Sequence, residues 1–195
     1  RHSFPRDKVC GDAVSRDVTQ MLYDLGMHDK IVAAEERGEF YPLNSIRLVS
    51  PKMHAMAVPF PMSVNGAKSY VAPRVYFDAT IQQHAIDSGA HFIVGEVKEP
   101  VLDDGVVTGI RAQINGTLET IRSRVVVGAD GVTSTIMRHL RPESNQHVDG
   151  HRAVALRAYI EDLELYPNEV EFYLYDKILP GYAWIFPAGD NLANI

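Results

Sequence analysis

The sequence predicts a mixed α/β fold, and three stretches carry that prediction. Residues 124–131 read Arg-Val-Val-Val-Gly-Ala-Asp-Gly. Three consecutive valines stopped by a glycine suit a strand buried on both faces, as in a parallel sheet. Residues 75–88 put Phe77, Ile81, Ala85 and Ile86 on one face of a helix that Gly89 ends. After residue 150 the pattern changes to short alternating segments at 153–160, 169–175 and 182–186, divided by Pro167-Asn168 and Pro180-Gly181. That pattern reads as an antiparallel sheet belonging to a different layer.

The remaining elements follow in chain order. Val14, Val18, Met21, Leu22 and Leu25 recur at helical spacing, with Asp12 or Ser15 near the start and Gly26 as the stop. Residues 29–37 form a second short helix closed by Gly38. Residues 40–64 hold Pro42, Pro51, Pro59 and Pro61, so they read as short strands and turns with Ile46, Leu48, Met56 and Val58 as apolar teeth. A strand is expected at 91–97. Asp103-Asp104-Gly105 then turns the chain into a return strand at 106–112, and Asn115-Gly116 turns it again into 118–121. Thr133 or Ser134 caps a helix through Ile136, Met137 and Leu140.

Bulk composition narrows the function classes. Of 195 residues, 46% are hydrophobic and 23% charged, as in a globular protein. The net charge of −6 argues against a nucleic-acid partner, which would require a basic face. A single cysteine permits no internal disulfide and fits a reducing, cytoplasmic setting. No segment has the ~20 apolar residues of a membrane helix, and no signal peptide is visible. The eight histidines lack ligand spacing, so no metal site is expected. There is no Gly-x-Ser-x-Gly elbow, no Gly-x-Gly-x-x-Gly and no phosphate loop. The chain opens at Arg1 and closes on an alternating pattern at Ile195, which suggests an internal piece of a longer protein.

Four groups are candidates for chemistry. Asp130 lies between glycines just past the valine run, where open α/β sheets bind ligands. It suits a ribose or pyrophosphate group, and it equally suits a helix cap. Cys10, beside Gly11 and flanked by Arg6 and Lys8, is either a reactive thiol or an inert loop residue. Arg74 opens the amphipathic helix, against the preference of the helix dipole. It calls for an anionic partner, either a ligand or a carboxylate such as Asp78 one turn on. In Tyr-Ala-Trp-Ile-Phe-Pro at 182–187, alternation gives Tyr182, Trp184 and Phe186 a common face, suited to a flat or greasy ligand or to a sheet core.

These islands resemble one family. Gly128-Ala129-Asp130-Gly131, followed by Ser134 and Arg138, resembles the second FAD-binding motif of the flavoprotein hydroxylase and reductase superfamily. Pro5-Arg6-Asp7-Lys8-Val9-Cys10-Gly11 is similar to the cysteine-glycine motif of geranylgeranyl reductases, and residues 182–187 to their aromatic motif. Arg74 with Phe77 and Asp78 is similar to the start of the long FAD-domain helix. The motifs occur in family order over nearly the whole chain. Asp12 stands where many members have another glycine. The family's amino-terminal glycine-rich βαβ unit and its later Gly-Asp-Ala segment have no counterpart here.

The resemblance implies a partial FAD-binding Rossmann-like domain, residues 1–39 and 66–149, interleaved with an antiparallel-sheet substrate domain, residues 40–65 and 150–195. It implies an FAD-dependent oxidoreductase that saturates isoprenoid carbon–carbon double bonds of a prenyl lipid or quinone. Arg74, Gly128, Asp130 and Gly131 would serve FAD. Cys10 and Gly11 would lie near the flavin ring, and Tyr182, Trp184 and Phe186 would line the prenyl pocket. The electron donor, NAD(P)H or a ferredoxin-like protein, is not readable. Met53, Met56, Phe60 and Met62 read first as pocket or core lining and second as a greasy entry patch for a peripheral membrane contact. The competing readings are an FAD-dependent aromatic hydroxylase or halogenase, which shares the Asp-Gly motif, and a flavoprotein part with no catalysis of its own.

Overall fold

A computed structural model describes residues 2–61, 65–145, 153–189 and 191–195. The chain forms two compact units: residues 91–154 with 1–3, and residues 4–90 with 155–195.

The larger unit begins with β1 (Ala13–Val14) and α1 (Arg16–Asp24). Ser15 caps α1, its hydroxyl accepting the Val18 amide at 3.4 Å. Asp12 does not start the helix; it takes a left-handed conformation, φ 64°. Helix α2 (His28–Glu36), β2 (Tyr41–Leu43), β3 (Ser45–Val49), β4 (Ala55–Pro59), β5 (Ser69–Val71) and α3 (Arg74–Asp87) follow. Strands β1, β5 and β2 form a small antiparallel sheet with β5 at its centre. Leu22, Met27, Ile31, Phe40 and Tyr70 build the core beside it, joined by Phe77 and Ile81 of α3. Those two α3 residues are among the ones that the helical spacing selects.

The smaller unit is a three-stranded meander, β6 (Glu96–Asp103), β7 (Val106–Ile114) and β8 (Thr117–Arg122), with α4 (Thr135–Leu140). Its turns have positive φ at both central residues, 50° and 81° at Asp104-Gly105 and 50° and 84° at Asn115-Gly116. Those are the values a two-residue hairpin loop demands. Two expectations fail here. The strand expected at 91–97 begins only at Glu96, and Phe92, Ile93 and Val94 before it are exposed. The valine run is not a strand: Val125 and Val127 are 75% and 82% exposed. Valine favours extended backbone, but a strand exists only through a ladder partner, and no described segment pairs with 125–127.

The chain then returns to the larger unit with β9 (Tyr159–Glu161), β10 (Glu169–Tyr173), β11 (Ala183–Pro187) and β12 (Leu192–Asn194). They complete a six-stranded sheet in the order β4-β3-β10-β11-β12-β9. The sheet is mixed, not antiparallel throughout, because β10 runs parallel to β3. The strand expected at 153–160 shrinks to β9, which can extend no further than its three-residue partner β12. Likewise β10 stops at Tyr173, two residues short of the expected end.

Register gives this sheet two unlike faces. One row runs Met56, Leu48, Phe172, Trp184, and the next carries Val58, Ile46 and Val170. The opposite face carries Arg47, Glu169 and Glu171. There Arg47 pairs with Glu169 at 2.5 Å and lies 3.8 Å over the Tyr166 ring. Alternation thus separates an apolar surface from an ion-paired one.

Candidate functional site

The cysteine-glycine loop and the aromatic strand, far apart in sequence, meet in the larger unit. Gly11 abuts the rings: a Cβ there would lie 3.3 Å from Phe186 Cε2 and 3.6 Å from Trp184 Nε1. Buried Asn194 of β12 joins the two. Its Nδ2 donates to the Cys10 carbonyl at 2.9 Å and to Asp12 Oδ2 at 2.7 Å, while its Oδ1 accepts the Trp184 indole N–H at 2.9 Å. The Tyr159 hydroxyl donates to the same Asp12 oxygen. Further back, Arg157 donates to both Asp7 oxygens at 2.6 and 2.7 Å and to the Lys8 carbonyl at 3.2 Å.

Burial sets the electrostatics of the loop. Desolvation raises the Asp12 carboxyl above its ordinary value, although Tyr159, Asn194 and Arg157 pull the other way. Asp7 behaves oppositely; its hydrogen bond from Arg157 holds it below the usual carboxylate range.

Arg74 reaches the same neighbourhood from the start of α3. It grips Asp78 through two bonds of 2.6 and 2.8 Å, and Arg6 adds a third contact to Asp78 at 3.1 Å. The Asp78 bond, with the Cys10 side chain as a second partner, raises the Arg74 pKa against the effect of burial. The anion that the sequence demanded at this helix start is therefore Asp78, within the protein.

The aromatic residues form one connected cluster. Tyr182 and Trp184 have ring centroids 6.3 Å apart, and Trp184 and Phe186 6.1 Å. Phe172 meets Tyr182 at 5.1 Å and Phe186 at 5.2 Å. The row is closed at Phe186, which packs into a core with Leu43, Val71 and Val170. It opens toward exposed Tyr182 and Met56. Met53, Met56 and Val58 are exposed and do not line a core, since β4 is the edge strand of its sheet; only Phe60 packs inward. Met62 lies outside the described residues.

Asp130 is in the smaller unit. Its Oδ1 takes the Ser134 hydroxyl, and its Oδ2 takes the amides of Thr135 at 2.6 Å and Ile136 at 3.4 Å. Burial pushes the carboxyl up, but these donors outweigh it and hold it below the ordinary range. Gly128 lets the turn approach α4, for a Cβ there would lie 3.1 Å from Ile136; Gly131 has φ 82°. The same Asp130 walls a polar cleft of about 350 Å³ with Glu96, Thr133, Thr135 and Arg138. Cap and cleft wall are thus one residue.

The sequence reading missed Asn194, Tyr159 and Arg157. Nothing local marks them; only Asp12, out of place after Cys-Gly, hinted that the loop had a partner. Among the described residues, no three His, Cys, Asp or Glu side chains gather to hold a metal, and no helix is long and apolar enough to cross a membrane.

No protein-family model matches the chain. It is 34% identical over 128 residues to a digeranylgeranylglycerophospholipid reductase of Methanosphaerula palustris, covering 65% of this chain and 32% of that protein. It is 29% identical to a menaquinone reductase of Mycolicibacterium smegmatis, covering 98% of this chain and 46% of that protein. The chain therefore spans about a third to a half of the length of these curated relatives. Two solved structures share its fold. A geranylgeranyl bacteriochlorophyll reductase-like protein of Thermoplasma acidophilum matches with a TM-score of 0.72 and 22% identity, over 95% of this chain and 45% of that one. A myxobacterial chondrochloren halogenase, an FAD-dependent type, matches at 0.79 with 17% identity, over 100% of this chain and 44% of that one.

The chain thus shares the fold of a geranylgeranyl bacteriochlorophyll reductase-like protein and of an FAD-dependent halogenase. In sequence it is a homologue, over about a third of their length, of proteins named digeranylgeranylglycerophospholipid reductase.

Proposed function

We propose that this chain is part of an FAD-dependent oxidoreductase that reduces isoprenoid double bonds of a prenyl lipid or quinone. The observation that carries this reading is the Cys10–Gly11 loop seated on the aromatic row, with an apolar surface leading from it to an open edge. A long hydrocarbon needs such a surface: apolar along its length, closed at one end and accessible at the other. Tyr182, Trp184 and Phe186 hold the chain, with Leu48 and Phe172 beside them. The names of the curated relatives, one a prenyl-lipid reductase and one a menaquinone reductase, support the substrate class.

The residues present fit FAD. Around Asp130 the cleft is polar, with Arg138, Glu96, Thr133 and Thr135 beside it and Gly95 in its wall. Gly128, Asp130 and Gly131 would hold the sugar-phosphate part. Arg74, held by Asp78, has the Cys10 side chain as its second partner; its assignment to FAD rests on the motif resemblance. When bound and reduced, FAD would supply the hydride for alkene reduction, with the accompanying proton drawn from solvent. The chain's own part is to orient the alkene, exclude water along the apolar row and keep the cysteine loop in place. Residues 1–39 and 66–149 serve the cofactor, and 40–65 and 150–195 the substrate. Electrons come from NAD(P)H or a ferredoxin-like donor, in a cytoplasmic protein that touches the membrane through exposed Met53 and Met56.

The test is product mass. The purified protein bearing this chain, with FAD and dithionite, is given menaquinone or an unsaturated diether lipid. Each reduced double bond adds one dihydrogen to the product. Oxygen-dependent hydroxylation or halogenation of an aromatic, with the prenyl chain untouched, would overturn the reading in favour of the hydroxylase and halogenase branch.

A further inference from the structure

Asn194 and Asp12 are both enclosed, at 0% and 2% exposure, yet neither belongs to the hydrophobic core. Asn194 uses both Nδ2 hydrogens and its Oδ1, on two partners in the 10–12 loop and one on β11. Only one orientation of the amide satisfies them. Flipped, it would set its NH₂ against the indole N–H and its oxygen against a carbonyl and a carboxyl. The side chain is therefore locked, and it locks what it holds.

Asp12 is retained against two local preferences. Its φ of 64° favours glycine, and its Oδ1 is buried with no hydrogen-bond partner, an arrangement that costs stability. Residues kept under such strain cluster where function needs them. Both donors, from Tyr159 and Asn194, converge on Oδ2.

We infer that Asp12 and Asn194 are positioning residues that fix the Trp184 indole and the Cys10 carbonyl against each other, so that the aromatic wall and the cysteine loop of the prenyl site hold one spacing. This rests on the function proposed above only in calling the site prenyl-binding; the bracket itself is geometric. Charge on Asp12 tunes it. The groups that face the carboxyl are the Tyr159 hydroxyl on β9, the Asn194 amide on β12, the Arg157 guanidinium already committed to Asp7, and the Arg74 backbone amide. Burial favours the neutral acid, so deprotonation strengthens acceptance at Oδ2 and pulls Asn194, and with it Trp184.

Trp184 is the only tryptophan in the chain, so its emission reads the bracket directly. In the full chain, the emission maximum is expected to step with pH, at a midpoint above the ordinary carboxylate range. Asp12→Asn keeps an acceptor for Asn194 and Tyr159, so it holds the low-pH emission at every pH. Asp12→Gly suits the left-handed backbone and keeps the fold, checked by far-ultraviolet circular dichroism; it shifts the maximum and abolishes the step. In the enzyme bearing the chain, Asp12→Gly raises KM for the prenyl substrate severalfold with a smaller change in kcat, and Asp12→Asn restores KM. A wild-type emission that ignores pH and is unchanged in Asp12→Gly would overturn the inference. The pH step without any prenyl reduction by the wild type would leave the bracket standing and defeat the functional reading alone.

Discussion

Replacing Gly11 with alanine tests whether the loop rests on the aromatic strand as closely as the geometry states. The new methyl would lie 3.3 Å from Phe186 Cε2, with Trp184 Nε1 and Cε2 at 3.6 and 3.7 Å. The Trp184 distances are ordinary contacts; the Phe186 distance is short by a few tenths of an ångström. Phe186 cannot yield freely, since it is buried against Leu43, Val71 and Val170. Overpacking of this kind costs about 1–3 kcal/mol. Gly11 has no positive φ, so alanine also gains about 0.4–1 kcal/mol by restricting the unfolded chain. The balance is a net loss of roughly 1 kcal/mol. Urea unfolding followed by Trp184 emission measures it, because the sole tryptophan reports on the larger unit. The native emission should shift as well, since a displaced loop disturbs the 2.9 Å bond between Trp184 and Asn194. A variant more stable than the parent, with unaltered emission, would refute the packing argument.

Three further outcomes are expected. Gly109→Ala would bring a Cβ within 2.3 Å of the Ile121 carbonyl and 3.1 Å of the Arg122 Cα; backbone cannot step aside, so a loss above about 3 kcal/mol should appear as fast amide exchange throughout β7 and β8. Asp130→Ala should cost about 1–2 kcal/mol and expose the Thr135 and Ile136 amides to exchange. Because the folded Asp130 carboxyl titrates below its ordinary value, its contribution is complete above the ordinary carboxylate range and fades as pH falls through the lowered pKa; identical melting curves of wild type and variant across that window would contradict this. Arg47→Met leaves the buried Glu169 carboxylate with only Ser45 at 2.8 Å and should cost about 3 kcal/mol in chemical denaturation. The double variant Arg47→Met with Glu169→Leu should recover most of that loss.

Elements ruled by local chemistry were readable in the sequence. The Asp104-Gly105 and Asn115-Gly116 turns, the Ser134 cap and the glycine stops after α1, α2 and α3 all depend on conformations that only a few residues adopt. The shared face of Tyr182, Trp184 and Phe186 followed from alternation alone. What depended on distant partners was not readable. Val125–127 has strand chemistry and no ladder; β9 is cut to the length of β12; β10 chose β3 as a parallel neighbour across more than a hundred residues. At the candidate site, Cys10 and Gly11 were singled out by their neighbours in sequence. Asn194, which binds the loop to the tryptophan, is one more polar residue in a polar-apolar alternation, and its meaning exists only in three dimensions.

The parallel pairing of β3 with β10 also constrains how the chain reaches its fold during synthesis. Ser45 and Glu169, which bond across that ladder, are 124 residues apart. At ribosomal rates of about 5–20 residues per second, β3 waits roughly 6–25 s for its neighbour. In that interval the β3–β4 hairpin presents Ile46, Leu48, Met56 and Val58 with one edge unsatisfied, while the meander of residues 96–122 has emerged and can zip through contacts close in sequence. The nascent chain thus completes the locally paired meander first, and the apolar face of the β3–β4 hairpin stays uncovered until β10 arrives.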